Sequence, residues 1–244
     1  MMVRHRTAAL MGALLLPLAG CGMADGEASP VGSEAAVIAT PPPGPFTLGV
    51  QTHFGQGWPA TRLGVARDLS APLLRDGLSW QVSEPVAGRI ALDPARIAPL
   101  DRACASGMKL MLTVIPRHRL YDGGRIVTSP EGRAAFAAYL DTLARRFGDC
   151  LVAIEVGNEI NGARALPVPR GTDPLAAYVG VLATLRGSFA QSHPQVALLG
   201  GSTNAIGTGF LVRLFRMGLL SHADGISVHP YRDHGENIEW EIAR

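Results

Sequence analysis

The run Ile154-Glu155-Val156-Gly157-Asn158-Glu159-Ile160-Asn161 concentrates the residues of this sequence best suited to acid–base chemistry. An apolar stretch ending in Gly-Asn-Glu brings a carboxyl, Glu159, out of a buried strand beside an amide, Asn158, that can hold a sugar hydroxyl. A carboxyl protonated near neutral pH can give its proton to a departing oxygen while a second carboxylate attacks the carbon left behind. Glycoside hydrolysis requires that pair. Other polar and aromatic residues stand at the ends of short apolar runs in the same way: His53 after the first, Arg75 and Trp80 at the second, His229 and Tyr231 at the sixth. Taken singly, each has a plainer role. Glu159 could be salt-bridged on the surface, Arg75 could brace a loop, His229 could be a satisfied core histidine and Trp80 could be packing. Their conjunction, each just past an apolar run, points to a site.

The elements that would carry them alternate. Six short apolar runs, Phe46 to Thr52, Leu73 to Gly77, Leu110 to Ile115, Leu151 to Val156, Val196 to Leu199 and Ile226 to Val228, have the nearly continuous apolar character of strands covered on both faces. Helices with readable ends lie between them. Asp93-Pro94, Ser129-Pro130-Glu131 and Asp173-Pro174 each combine a capping side chain with a proline suited to the first turn. After Ser129 an apolar stripe of Phe136, Tyr139, Leu140, Leu143 and Phe147 follows helical spacing until Gly148 stops it. Repeated strand–helix units require a parallel sheet, either doubly wound and open or closed as a barrel. No strand leads into a G-x-G-x-x-G or G-x-x-x-x-G-K-[ST] turn, and Gly200-Gly201 reads as a tight turn rather than a phosphate cradle. Polar residues gathered at strand ends favour the barrel, whose active sites are built there. The expected fold is therefore α/β, an incomplete (β/α)8 TIM barrel with about six of its eight units present.

This pattern resembles the clan of retaining (β/α)8 glycosidases that includes families 5 and 39. Asn158-Glu159 at the fourth strand is similar to the clan's Asn-Glu pair, which implies that Glu159 is the general acid/base. Arg75, in Leu73-Leu74-Arg75-Asp76-Gly77, matches the clan's second-strand arginine, and His229-Pro230-Tyr231 resembles the histidine and tyrosine that follow its sixth strand. The resemblance implies that His53, Arg75, Trp80, Asn158, His229 and Tyr231 bind substrate, with Trp80 offering a flat ring to a pyranose. It also implies a nucleophile glutamate on a seventh strand, which is expected to lie outside this chain. Glu236, Glu239 and Glu241 follow His229 too closely to supply it and read as exposed residues of the next helix.

Length and composition agree with one catalytic domain. The 244 residues are 47% hydrophobic and 17% charged, and a net charge of +2 without single-sign runs gives nothing that points toward nucleic acid, so no nucleic-acid partner is expected. Residues 1–21 read as a lipoprotein signal peptide: Arg4 and Arg6 precede an apolar run from Ala8 to Leu18, and Leu18-Ala19-Gly20-Cys21 resembles a lipobox, with Cys21 the site of lipidation. Residues 22–45, rich in Gly, Ala, Ser and Pro, read as a flexible linker, and 46–244 as the N-terminal part of the barrel domain. Export to a bacterial membrane surface through a lipid anchor is expected, with a polysaccharide or oligosaccharide as substrate. Cys104 and Cys150 precede adjacent strands and read as two small buried thiols in preference to a disulfide. No cofactor is expected, and no metal, because the first strand offers Gln51-Thr52-His53 instead of a His-x-His pair. The alternative function is a noncatalytic carbohydrate-binding surface lipoprotein.

Overall fold

A computed structural model describes residues 47–231. The expected signal peptide with Cys21, the whole region read as linker, and Glu236, Glu239 and Glu241 lie outside them. The described chain runs β1 (Val50–Gln51), α1 (Leu63–Asp68), β2 (Leu73–Gly77), α2 (Trp80–Ser83), α3 (Pro94–Ala105), β3 (Lys109–Val114), α4 (Pro130–Phe147), β4 (Leu151–Val156), α5 (Pro174–Gly187), α6 (Phe189–Ser192), β5 (Ala197–Asn204), α7 (Thr208–Arg216) and β6 (Gly225–His229). The strands form one sheet in the order β1-β2-β3-β4-β5-β6, every pair parallel. Six parallel strands wound in sequence order, the first five each followed by a helix, make an incomplete (β/α)8 barrel.

The helices begin where the sequence places their caps. Asp93 accepts from the Ala95 amide at 2.9 Å, Ser129 from Gly132 at 3.0 Å and Asp173 from Leu175 at 2.7 Å, each satisfying a donor that the first turn leaves open. The predicted stripe of α4 is buried along its length, from Phe136 to Phe147, in the same core cluster as strand residues Leu110, Leu112 and Ile154. Each such side chain contributes on the order of 1.5–3 kcal/mol by leaving water. Alternate residues of the strands carry the polar groups of the barrel interior, so the apolar and polar residues of one strand serve two different layers.

Three expectations are corrected. Cys104, in α3, and Cys150, just before β4, form a disulfide, with an S–S distance of 2.13 Å and Cα atoms 5.6 Å apart. The loop leading into β4 brings the end of α3 beside it, a proximity that residue types alone do not reveal. Gly200-Gly201 is not a turn between elements: both lie inside β5, which extends from Ala197 to Asn204. The register between β5 and β6 shifts there, and Gly201 has a φ of 83° that the bulge requires. A Cβ at Gly201 would lie 3.0 Å from Ile226 and 3.1 Å from Leu211, so packing and backbone both demand glycine. The third correction, Trp80, belongs to the site.

Candidate active site at the strand ends

Glu159 is presented by a tight reversal after β4. Gly157 has φ 95° and Glu159 itself φ 49°, the left-handed region that residues other than glycine seldom occupy. The reversal is fastened at both ends. The Gly157 amide donates to the Val114 carbonyl at 2.8 Å, and the Ile160 amide donates to the Ser202 carbonyl at 3.0 Å. Surrounding structure thus holds Glu159 in a conformation it would not choose alone. Its carboxylate, about one-third exposed, accepts from Asn204 Nδ2 at 3.3 Å and stands 3.4 Å from His229 Nδ1. Asn161 and Asn204 exchange two hydrogen bonds of 2.8 and 2.9 Å, which tie the β4 loop to the end of β5.

Beneath Glu159 lies a second carboxylate to which sequence reasoning gave no role. Glu155 is fully buried on β4. Its Oε2 accepts from Arg75 Nε at 2.9 Å, Arg75 Nη2 at 2.5 Å and Thr113 Oγ1 at 2.5 Å. Its Oε1 accepts from Ser202 Oγ at 3.0 Å and Ser227 Oγ at 2.5 Å, and lies 2.8 Å from His229 Nε2. Donors from β2, β3, β5 and β6 therefore meet on one side chain of β4. Burial alone pushes the Glu155 carboxyl up. Hydrogen bonds from His229, Ser227 and Thr113, together with the Arg75 charge, outweigh it and bring the pKa down to about 2. A signal for this residue existed: a charge in the middle of the run Leu151–Val156, otherwise entirely apolar, must have partners once the strand is buried.

His229 joins the two carboxylates. The hydrogen bond to Glu155 raises its pKa above the ordinary value; burial and the Arg75 charge oppose this, and the contact with Glu159 adds to it. Nε2 also lies 3.0 Å from Arg75 Nη2, and a guanidinium can only donate whereas a carboxylate can only accept. Nε2 can satisfy one of them at a time. As Nε2–H it donates to Glu155; as a lone pair it accepts from Arg75, and the proton then sits on Nδ1, facing Glu159. The arrangement can pass a change in His229 protonation to the acid at the barrel mouth.

The structure gathers Arg75, Asn158, Glu159 and His229 of the predicted set. Arg75 Nη2 also reaches Asn158 Oδ1 at 3.4 Å, and Arg75 Nη1 meets the side chain of Gln51. Tyr231 lies beside them, its ring 5.9 Å from His229 and 66% exposed. His53 stays at the end of β1, packed edge-on against Trp58 at 4.8 Å, with a buried Nδ1 that has no hydrogen-bond partner. Trp80 is the correction. Its ring is 1% exposed and offers no face to a sugar. The short helix α2, capped by Ser79, turns it inward, where it stacks on Tyr121 at 5.3 Å, packs against Phe136 at 5.2 Å and donates from Nε1 to buried Glu84. Of the two described tryptophans, Trp58 is the exposed one, at 44%. Among the described residues, no three His, Cys, Asp or Glu side chains are disposed to hold a metal ion.

No protein-family model and no curated protein matches this chain. Solved structures do. A family 39 glycoside hydrolase from the gut symbiont Bacteroides cellulosilyticus WH2 aligns over 76% of this chain with a TM-score of 0.59 and 21% identity. A GH5_18 protein from Bifidobacterium longum aligns over 64% at TM-score 0.47 and 16% identity, and the exo-β-1,4-mannosidase Op5Man5 from an Opitutaceae bacterium over 64% at 0.45 and 19%. The chain spans 38%, 44% and 32% of those three proteins respectively. At such identities the likeness concerns the fold: the chain is similar to the family 39 glycoside hydrolase as an incomplete (β/α)8 barrel.

Proposed function

We propose that this chain carries the acid/base side of a retaining glycosidase site that hydrolyses O-glycosyl bonds in a poly- or oligosaccharide, with Glu159 as the general acid/base. The observation that carries the reading is the strained reversal after β4: it holds the Glu159 carboxylate at the barrel mouth, against His229 and Asn204 and above the buried Arg75–Glu155–His229 network. Backbone in a sparsely populated conformation is kept where the presented side chain repays it. Asn158 and Tyr231 would contact the sugar, and Arg75 and His229 would position the reacting groups.

A retaining mechanism needs a second carboxylate about 5–5.5 Å from the first. Glu155 does not fit that role. Both its oxygens already accept several hydrogen bonds and none of its surface is open, so it cannot reach an anomeric carbon. We assign the nucleophile to a glutamate outside the described residues. In the full-length protein, Glu159→Gln is expected to abolish hydrolysis of glycosides with poor leaving groups and to spare the first step on activated aryl glycosides, read by burst kinetics. Equal loss on both would remove Glu159 from the role. Saturable binding of oligosaccharides without turnover by the unaltered protein would favour the carbohydrate-binding alternative.

Export with a lipid anchor at Cys21 is part of the proposal. The Cys104–Cys150 disulfide supports it, since such bonds persist in oxidising compartments.

A further inference from the structure

Beside Asn158, between the loops that follow β3 and β4, lies a cavity of about 230 Å³. That is below the roughly 300–1,000 Å³ of a typical small-molecule pocket, so it suits a single sugar unit better than a length of chain. Its bed is apolar, with Ile115, Ile126, Ile160 and Leu166. Its polar groups are Asn158 and two arginines, Arg117 and Arg164, and among the described residues no acidic side chain lines it. The walls are tied together: Ile126 donates from its amide to the Pro167 carbonyl at 2.9 Å, Val127 to Pro116 at 3.1 Å, and Ala165 to Gly162 at 3.0 Å.

Among the described residues, Arg75, Arg96, Arg145, Arg146 and Arg186 are engaged by carboxylates, at 2.5–3.1 Å. Neither Arg117 nor Arg164 has a carboxylate partner among the described residues, although both border the same cavity. An apolar floor that accepts a pyranose face, an amide for a hydroxyl and two open guanidinia together describe a receptor for a sugar that bears an anionic oxygen group. We propose that this cavity is a subsite for an acidic sugar, carrying a uronate carboxylate or a sulfate ester, next to the position where Glu159 acts. The proposal rests on the carbohydrate reading of the site and narrows its substrate class.

The test is affinity electrophoresis of the full chain in gels containing alginate, polygalacturonate or hyaluronan, each run against its carboxyl-reduced neutral counterpart, and chondroitin sulfate run against its desulfated form. At least one acidic polymer should retard the protein, with retardation largely lost when the acid group is removed. Arg117→Ala and Arg164→Ala should each weaken that binding about ten-fold, as expected for a charge-assisted hydrogen bond. Arg213→Ala and Arg216→Ala, exposed arginines of α7, should leave it unchanged; equal loss there would reduce the effect to general charge and overturn the subsite. Retardation lost on carboxyl reduction assigns a uronate, and retardation lost only on desulfation assigns a sulfate ester. Binding that is equal on acidic and neutral polymers overturns the subsite while the carbohydrate reading stands. Retardation by none of them removes the carbohydrate reading and the subsite with it.

Discussion

Two buried glutamate–histidine clusters sit close to the strand ends of this barrel, and they behave oppositely. In one, Glu155 is bonded from four neighbouring strands, and His229 spans the gap between it and Glu159. In the other, Glu84 accepts from Trp80 Nε1, from Tyr121 Oη at 2.6 Å and from the Gly88 amide at 2.7 Å, with His118 packed on the Trp80 ring at 4.8 Å. His118 Nδ1 accepts from the Leu120 amide at 3.1 Å, and its buried Nε2 has no hydrogen-bond partner among the described residues. The residue types match, but the position of the carboxylate relative to the imidazole differs. Glu155 faces His229 directly, and hydrogen bonding to it raises the His229 pKa. Burial lowers that of His118, and the charge of nearby Glu84 only partly compensates. One cluster favours the charged form of its imidazole next to the mouth; the other favours the neutral form inside a wall of aromatic rings.

The largest expected effect is on stability. Glu155→Ala strands the Arg75 guanidinium and should cost about 3–5 kcal/mol, the usual result of removing one partner of a buried ion pair. Glu84→Ala strands three neutral donors, whereas Glu155→Ala strands the hydroxyls of Thr113, Ser202 and Ser227 in addition to the guanidinium. Thermal unfolding, in which each kcal/mol moves Tm by roughly 2–4 °C for a chain of this size, should rank Glu155→Ala as the more damaging. The reverse order would break the contrast between an ionic and a neutral cluster.

Next in size is the response to pH. The raised pKa of His229 means that its stabilisation is fully present below 6.5, the ordinary histidine value, and is lost as pH rises through the folded value. The lowered pKa of His118 gives the opposite sign: stability is kept above 6.5 and lost as pH falls through the folded value. His118→Gln should therefore flatten the rise of stability with pH below 6.5, and His229→Gln should remove the fall of stability with pH above 6.5. Titration of the two imidazoles by NMR should place His229 above 6.5 and His118 below it. Matching midpoints would erase the distinction. At lower pH, the stabilisation from Glu155 is present above 4.5 and is lost as pH falls toward about 2.

The smallest effects sharpen the functional side. Ser227→Ala and Tyr121→Phe each remove one hydrogen bond to a buried glutamate, Glu155 and Glu84 respectively, at about 0.5–1.5 kcal/mol of stability. Their stability losses should be similar. Only Ser227→Ala should also shift the pH dependence of kcat in the full-length protein, because only Glu155 is linked through His229 to Glu159. A pH profile that moves with Tyr121→Phe instead would relocate the relay.

Strand and helix positions were readable because apolar periodicity and capping chemistry are local. Ser129, Asp93 and Asp173 cap the expected helices, and β2 and β4 have the expected limits, Leu73–Gly77 and Leu151–Val156. The ends of other strands were less legible. β1 shrinks to Val50–Gln51 because only those residues pair with Leu74 and Arg75, and β5 lengthens because a glycine bulge lets the chain bend without leaving the sheet. Within the site, Arg75, Asn158, Glu159 and His229 were identified from their places at strand ends, whereas Glu155 was passed over and Trp80 was assigned to the wrong side of its helix.

What the sequence determined by itself was the alternation of strands and helices, the parallel barrel that follows from it, and the strand ends at which polar groups collect, since these depend on spacing along a single chain. What only the tertiary structure decided was which polar groups touch. The partners of Glu155 lie 42 to 80 residues away in the chain, and Cys104 is 46 residues from Cys150. Whether a tryptophan faces sugar or core, a cysteine finds a partner, or a buried glutamate stays ionised depends on the register between strands and the turn after each of them, which local residue patterns do not encode.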